Sequence, residues 1–184
     1  MAERKGARAT DRFRRKREAI LDASIAILNQ KGVKGLTLAD AAAAVGLSTT
    51  SVTYYSKRKD DLAAACMARG VAWLQEAAET AVAEPAPRER LHRLLELYLE
   101  RVRLAVLGQA PPLPTLADLR ALNEPRRGEV FEAYVKLFRK VRTLFDGPDT
   151  AWLSRGRRTA RTHMLLEQLF WSAAWLPKYD VEDY

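Results

Sequence analysis

Residues 38–55 read LADAAAAVGLSTTSVTYY, and how this stretch folds decides the rest of the chain. Leu38 to Val45 is alanine-rich and favours a helix, Gly46 tolerates a left-handed turn, and Ser48 is suited to cap a second short helix reaching about Tyr55. Ala41 and Ala42 leave room for close approach, while Val45, Leu47, Val52 and Tyr55 are spaced to face inward. Two short helices locked at a fixed angle by so tight a turn make a helix-turn-helix. Its outward positions, Thr49, Thr50, Ser51, Thr53 and Tyr54, offer hydroxyls and a ring suited to base edges, thymine methyls and phosphates in a major groove.

Upstream, Thr10 to Lys31 places Phe13, Ile20, Leu21, Ile25 and Leu28 at helical spacing, and Gly32 stops the run. Residues 1–9 read as a basic, disordered arm. Downstream, Lys57 to Lys59 is a polar connection before a long helix from Asp60 to about Val82, with Leu62, Cys66, Val71 and Leu74 on or near one face. Pro85 and Pro87 interrupt the pattern, which resumes over Arg88 to Leu107. A proline-rich loop follows, Gly108 to Pro114, and then a short helix over Thr115 to Leu122. A long helix from Pro125 to Phe145 and a last one reaching about Leu176 complete the chain. Strand-type alternation is absent, so the expected fold class is all-α. A three-helix head over 10–58 carries the helix-turn-helix, followed by a helical bundle over 59–184.

Of the net charge of +8, nearly all lies at one end. Residues 1–60 hold 13 Lys/Arg against 6 Asp/Glu, and the remainder 18 against 17. A head this basic beside a nearly neutral body fits contact with a polyanion. The longest apolar stretch, Met164 to Leu176, is broken by Glu167, Gln168 and Ser172 and is too short to span a membrane. The N-terminus lacks the apolar run of a secretory signal, which points to a cytoplasmic location. Cys66 reads as a small buried group. His92 and His163 lie too far apart for a metal pair, and no nucleophile–base pair or phosphate-cradling glycine loop appears. No catalysis, metal or cofactor is expected.

Ile20 to Leu62 resembles the DNA-binding domain of TetR-type bacterial repressors. The resemblance rests on Ile20-Leu21-Asp22-Ala23, Gly32, Thr37, Gly46-Leu47-Ser48, Tyr54, and Lys59 with Leu62. Thr53 stands where the family usually has the first of two aromatic positions, and Ser56 where a phenylalanine commonly plugs the domain core. The resemblance implies that Thr37, Ser48, Lys57 and Lys59 meet phosphates and that Thr49, Thr50, Ser51, Thr53 and Tyr54 read bases. Arg14 and Arg17 would add affinity independent of sequence. It also implies a double-stranded operator, a homodimer and a small-molecule effector, so that the body would be a regulatory domain. Trp73, Tyr98, Phe131, Tyr134, Phe138 and Trp171 are candidates for lining an effector pocket. Leu165, Leu169, Ala173 and Leu176 are candidates for the dimer face. Family members usually add a C-terminal helix there, whereas only residues 178–184 follow Pro177 here, so a shortened or different interface is expected. The alternative is a helical interaction protein whose head no longer reads sequence.

Overall fold

The computed structural model describes the backbone of residues 2–180 and the side chains of 11–180. Helix α1 (Ala2–Gly35) begins ahead of Thr10, so the stretch 1–9, expected as a disordered arm, is helical from Ala2. Ala2, Glu3, Arg4, Lys5, Ala7 and Arg8 are good helix formers around the single Gly6. The side chains of this stretch lie outside the described residues. Gly32, at φ 66°, breaks the regular helix where the sequence predicts a stop.

Helix α2 (Leu38–Ala44) is capped by Thr37, whose hydroxyl accepts the Asp40 N–H at 3.0 Å. Gly46, at φ 65°, turns the chain into α3 (Thr49–Thr53), capped by Ser48, which accepts the Ser51 N–H at 3.2 Å. Helix α4 (Lys59–Ala81) opens with the Asp61 carboxylate accepting the Arg58 N–H at 3.1 Å. Helices α5 (Pro87–Val106), α6 (Arg126–Thr143) and α7 (Arg155–Trp175) complete an all-α fold among the described residues.

The short α-helix expected over Thr115 to Leu122 does not form; the segment is irregular, with a turn at 117–118 leading into one 3-10 turn, Leu119–Ala121. Side chains serve its backbone instead: the Thr115 N–H donates to Asn29 Oδ1 at 2.9 Å and the Ala117 N–H to Thr115 Oγ1 at 3.2 Å. A side-chain partner removes the incentive to close a helical turn.

Two apolar clusters meet along α4. The first joins Ile20, Leu21, Ile25 and Leu28 of α1 to Leu36, Ala41, Ala42 and Val52, the first turns of α4, and Leu122 and Val130 beyond it. The second joins Val71, Leu74 and Ala78 to Leu94, Tyr98 and Val102 of α5, Leu137 and Val141 of α6, and Leu166, Leu169 and Phe170 of α7. Full burial of each large apolar side chain contributes about 1.5–3 kcal/mol. Head and body therefore share one continuous interior around α4.

Within the second cluster the Tyr98 hydroxyl donates to the Leu169 carbonyl at 2.6 Å and lies 2.8 Å from Ser172 Oγ. Burial pushes this phenol up to about 12 from its ordinary 10.0, and pushes the Cys66 thiol up to about 12 from 9.0. Both groups are neutral when buried, so their stabilisation is complete below the ordinary values and is lost as pH rises from about 9 towards 12. Thermal melting should hold a plateau up to about pH 8.5 and fall above it, and Cys66→Ala with Tyr98→Phe should flatten that fall. At neutral pH Tyr98→Phe should cost about 1–2 kcal/mol in denaturant unfolding, since it removes a buried hydrogen bond.

Candidate nucleic-acid interface

The outer side of the head is built around α3. Thr49 and Thr50 are exposed at its start, and Tyr54, at its C-terminal cap, is 77% exposed. Ser51 is half-buried, its hydroxyl 2.8 Å from Ser48 Oγ, so these two serines serve each other and the helix cap. Thr53 is half-buried and its hydroxyl donates to the Thr50 carbonyl at 2.8 Å. Three of the predicted contact residues thus spend hydroxyl bonds on their own helix, whereas Thr49, Thr50 and Tyr54 present themselves outward.

Tyr54 does not project alone. Phe13 of α1 stacks on Tyr55 with ring centroids 4.8 Å apart, and both rings meet Tyr54 edge-on, at 5.8 and 5.5 Å. Tyr55 also packs against the first core cluster. Sequence spacing placed Phe13 among the helically spaced apolar residues of its helix, and it is 39% exposed with tertiary ring contacts.

Cations flank this surface. Lys57, Arg58 and Lys59 are exposed in succession after α3. The Lys59 ammonium donates to the Lys34 carbonyl at 3.3 Å and the Val33 carbonyl at 3.5 Å, which fastens it to the end of α1 and leaves one of its three donors. Thr37 is exposed with its hydroxyl engaged as a cap. Arg14 and Arg17 are exposed, but each has an acidic neighbour: Arg14 pairs with Asp11 at 2.7 Å and Arg17 lies 3.5 Å from Glu18. Asp11 also pairs with Arg15, and hydrogen bonds from Arg15 and Arg14 hold its carboxyl below the usual range.

The body divides the residues assigned to one pocket among different places. Phe131, Tyr134 and Trp171 do line one cleft of about 660 Å³ between α6, α7 and residues 115–120, together with His163 and Phe170. Phe138 is half-buried with its ring 4.4 Å from that of His163 and is not among the cleft's lining residues. Trp73 borders another cleft, and the Tyr98 hydroxyl is consumed inside the bundle. The dimer-face residues are also redistributed. Leu169 and Ala173 are buried in the second cluster, and Leu165 and Leu176 are half-buried against it. The exposed apolar side chains of α7 are Met164, Trp171 and Trp175. A helix that is apolar nearly all round carries no periodic signal of which face turns inward.

The segment 113–118 is a further feature absent from the sequence reading. Asn29 of α1 donates to the Leu113 carbonyl at 2.8 Å while accepting from Thr115, and Asp118 Oδ2 accepts the Val33 N–H at 3.2 Å. At Gly32 any Cβ would run into the Asp118 carboxylate, so the glycine provides both the left-handed turn and the space. The cleft wall and the head are thus fastened through one stretch of chain.

Residues 20–66 match the family described as bacterial regulatory proteins, tetR family. The HTH-type transcriptional regulator BetI of Burkholderia thailandensis is 30% identical over 122 residues, which are 60% of this chain and 63% of that protein. The match thus spans less than two thirds of that relative's length. A TetR-family transcriptional regulator from Bordetella parapertussis shares the fold with a TM-score of 0.70 at 21% identity, over 90% of this chain and 84% of that one. AibR, solved in complex with isovaleryl coenzyme A and operator DNA, shares it with a TM-score of 0.64 at 18% identity, over 86% of each chain. The head thus carries the helix-turn-helix that matches the tetR family over residues 20–66, and the chain as a whole shares the fold of these solved regulators.

Proposed function

We propose that this chain is a cytoplasmic DNA-binding transcriptional regulator that reads a palindromic operator as a homodimer and is released by a small, largely apolar effector. The observation that carries this reading is the outward display of Thr49, Thr50 and Tyr54 on a short helix followed by Lys57, Arg58 and Lys59. Thr49, Thr50 and Tyr54 read base edges, with Ser51 and Thr53 acting chiefly to fix α3. Thr37 and Ser48 direct helix N-terminal amides at phosphates, and Lys57, Lys59, Arg14 and Arg17 add charge. Residues 10–58 form the reading head and 59–184 the regulatory body. Its work is binding, without catalysis or cofactor.

In a dimer the two heads sit in successive major grooves about 34–36 Å apart. The outer face of α7 supplies the seam: Met164, Gln168, Trp171 and Trp175 follow one another at heptad-like spacing and are exposed. This stripe replaces Leu165, Leu169, Ala173 and Leu176, of which Leu169 and Ala173 already fill their own core.

The effector enters the cleft lined by Phe131, Tyr134 and Trp171, whose size suits a small molecule. Residues 115–120 form its opposite wall, and that segment is bonded to α1 through Asn29 and Asp118. A ligand that favours a different position of this wall favours a different position of the head, which is the differential interaction needed to shift DNA affinity. Helix α4 and the wall carry the change together.

Selection of bound duplexes from a random pool near physiological salt should enrich a palindrome, and Tyr54→Ala should lose selectivity by about 1–3 kcal/mol with an unchanged melting temperature. Enrichment of nothing, with only salt-sensitive binding, would instead support an interaction protein with a non-reading head. Lys57→Ala should weaken binding to all sequences and lower the salt slope by about 1. In sedimentation at roughly tens of micromolar, a range in which weak pairs separate, the wild type should be dimeric and Met164→Glu monomeric. A dimer unaffected by Met164→Glu and Trp175→Glu would rule out the α7 seam.

A further inference from the structure

A second, smaller cleft of about 280 Å³ opens between α4, α5 and residues 112–114. Arg69 of α4 and Arg101 of α5 face it, with Trp73, Pro112 and Pro114 as apolar walls. A Cβ at Gly70 would run into Pro114, so the glycine is what lets this wall lie close to α4.

The two arginines differ in what neutralises them. Arg69 holds Asp22 of α1 at 2.5 Å and reaches Glu18 at 3.3 Å. Arg101 makes neither hydrogen bond nor ion pair among the described residues; its guanidinium lies 5.7 Å from the centre of the Trp73 ring, and its buried Nε has no acceptor. Burial, and then the Arg69 charge, hold Arg101 below the ordinary arginine value despite an opposing pull from Asp22. Folded proteins seldom leave a buried donor unserved. Glu76 lines the cleft too but forms no ion pair with either arginine among the described residues, so the unanswered positive charge belongs to Arg101.

We infer that this cleft binds a small organic monocarboxylate, its carboxylate on the Arg101 guanidinium and its compact apolar body against Trp73, Pro112 and Pro114. The guanidinium fork matches a carboxylate in shape and charge. One unpaired cation calls for a monoanion, and the proline and indole walls call for an apolar body rather than a free inorganic ion. At about 280 Å³ the cleft has room for a molecule the size of benzoate. A carboxylate seated there also lies beside Arg69 and competes with Asp22 and Glu18 for it, so occupancy loosens an α1–α4 tie.

Calorimetric titration of the full chain tests this site independently of whether the head binds DNA. Benzoate should bind with one site per chain. Benzamide, its neutral counterpart, and inorganic phosphate should each bind at least about tenfold more weakly, the value of one charge-assisted bond. Arg101→Gln should lose benzoate affinity by at least about tenfold, and Arg101→Lys, which keeps the charge but not the fork, by a smaller factor. The inference is overturned by benzamide or phosphate binding as tightly as benzoate, by absence of benzoate binding, or by benzoate affinity unchanged in either folded variant.

Discussion

Helix α4 is buried on three sides, and that constraint sets its composition. Its interior positions run Leu62, Ala63, Ala64, Cys66, Met67, Gly70, Val71, Leu74, Ala77, Ala78 and Ala81, and small residues dominate because α1, α5 and α6 all pack against the same 23-residue rod. Large side chains on every face would hold those neighbours apart, while alanine and glycine let them close. The cost is that each contact buries little area, so the helix must make many of them. Its first turns complete the core beneath the helix-turn-helix and its last turns complete the core of the body. A rod shared between two cores cannot shift at one end without disturbing the other.

The first half of that rod is fastened by charge as well as packing. Asp61 accepts from Arg126 at 2.8 Å, Asp60 from Asn123 at 2.6 Å, and Arg69 reaches back to Asp22. The partners at the first two come from the far side of the 108–123 connection, and Asn29 and Asp118 hold the same connection to α1. Exposed pairs of this kind contribute little stability individually. Their importance is geometric: they make a proline-rich stretch without α-helix the common neighbour of the head, of α4 and of both clefts.

The parts of this architecture that were legible in the sequence are those governed by local rules. Gly32, Gly46, Thr37 and Ser48 act within a few residues of themselves, as turn formers and caps, and the boundaries they imply agree with the structure. Leu62, Cys66, Val71 and Leu74 were legible because an amphipathic period survives in α4 despite its alanines. The facing of α7 was not, since Leu165, Leu169, Ala173 and Leu176 are no more apolar than Met164, Trp171 and Trp175. Only packing against α5 and α6 decides which set turns inward. Thr115 to Leu122 was misread because the side chains of Asn29 and of Thr115 itself take backbone N–H groups at its start.

At the reading surface the difference is one of bonding rather than position. All five polar residues from Thr49 to Tyr54 are on or beside α3, as the pattern requires, yet Ser51 and Thr53 already engage neighbours within the helix. A five-residue helix has too few internal bonds to hold its shape by propensity alone. Ser48 and Ser51 at its start, Thr53 within it and the Phe13–Tyr55 stack at its end supply the rigidity, which leaves Thr49, Thr50 and Tyr54 free to face a partner. Phe13 carries this arrangement back to α1, and α1 is bonded to the cleft wall through Asn29. The surface proposed to meet DNA and the segment that a ligand would touch therefore rest on the same helix, so rigidity at one and adjustability at the other must be divided at Gly32. There the regular helix ends and the Asp118 carboxylate fills the space left by the missing side chain.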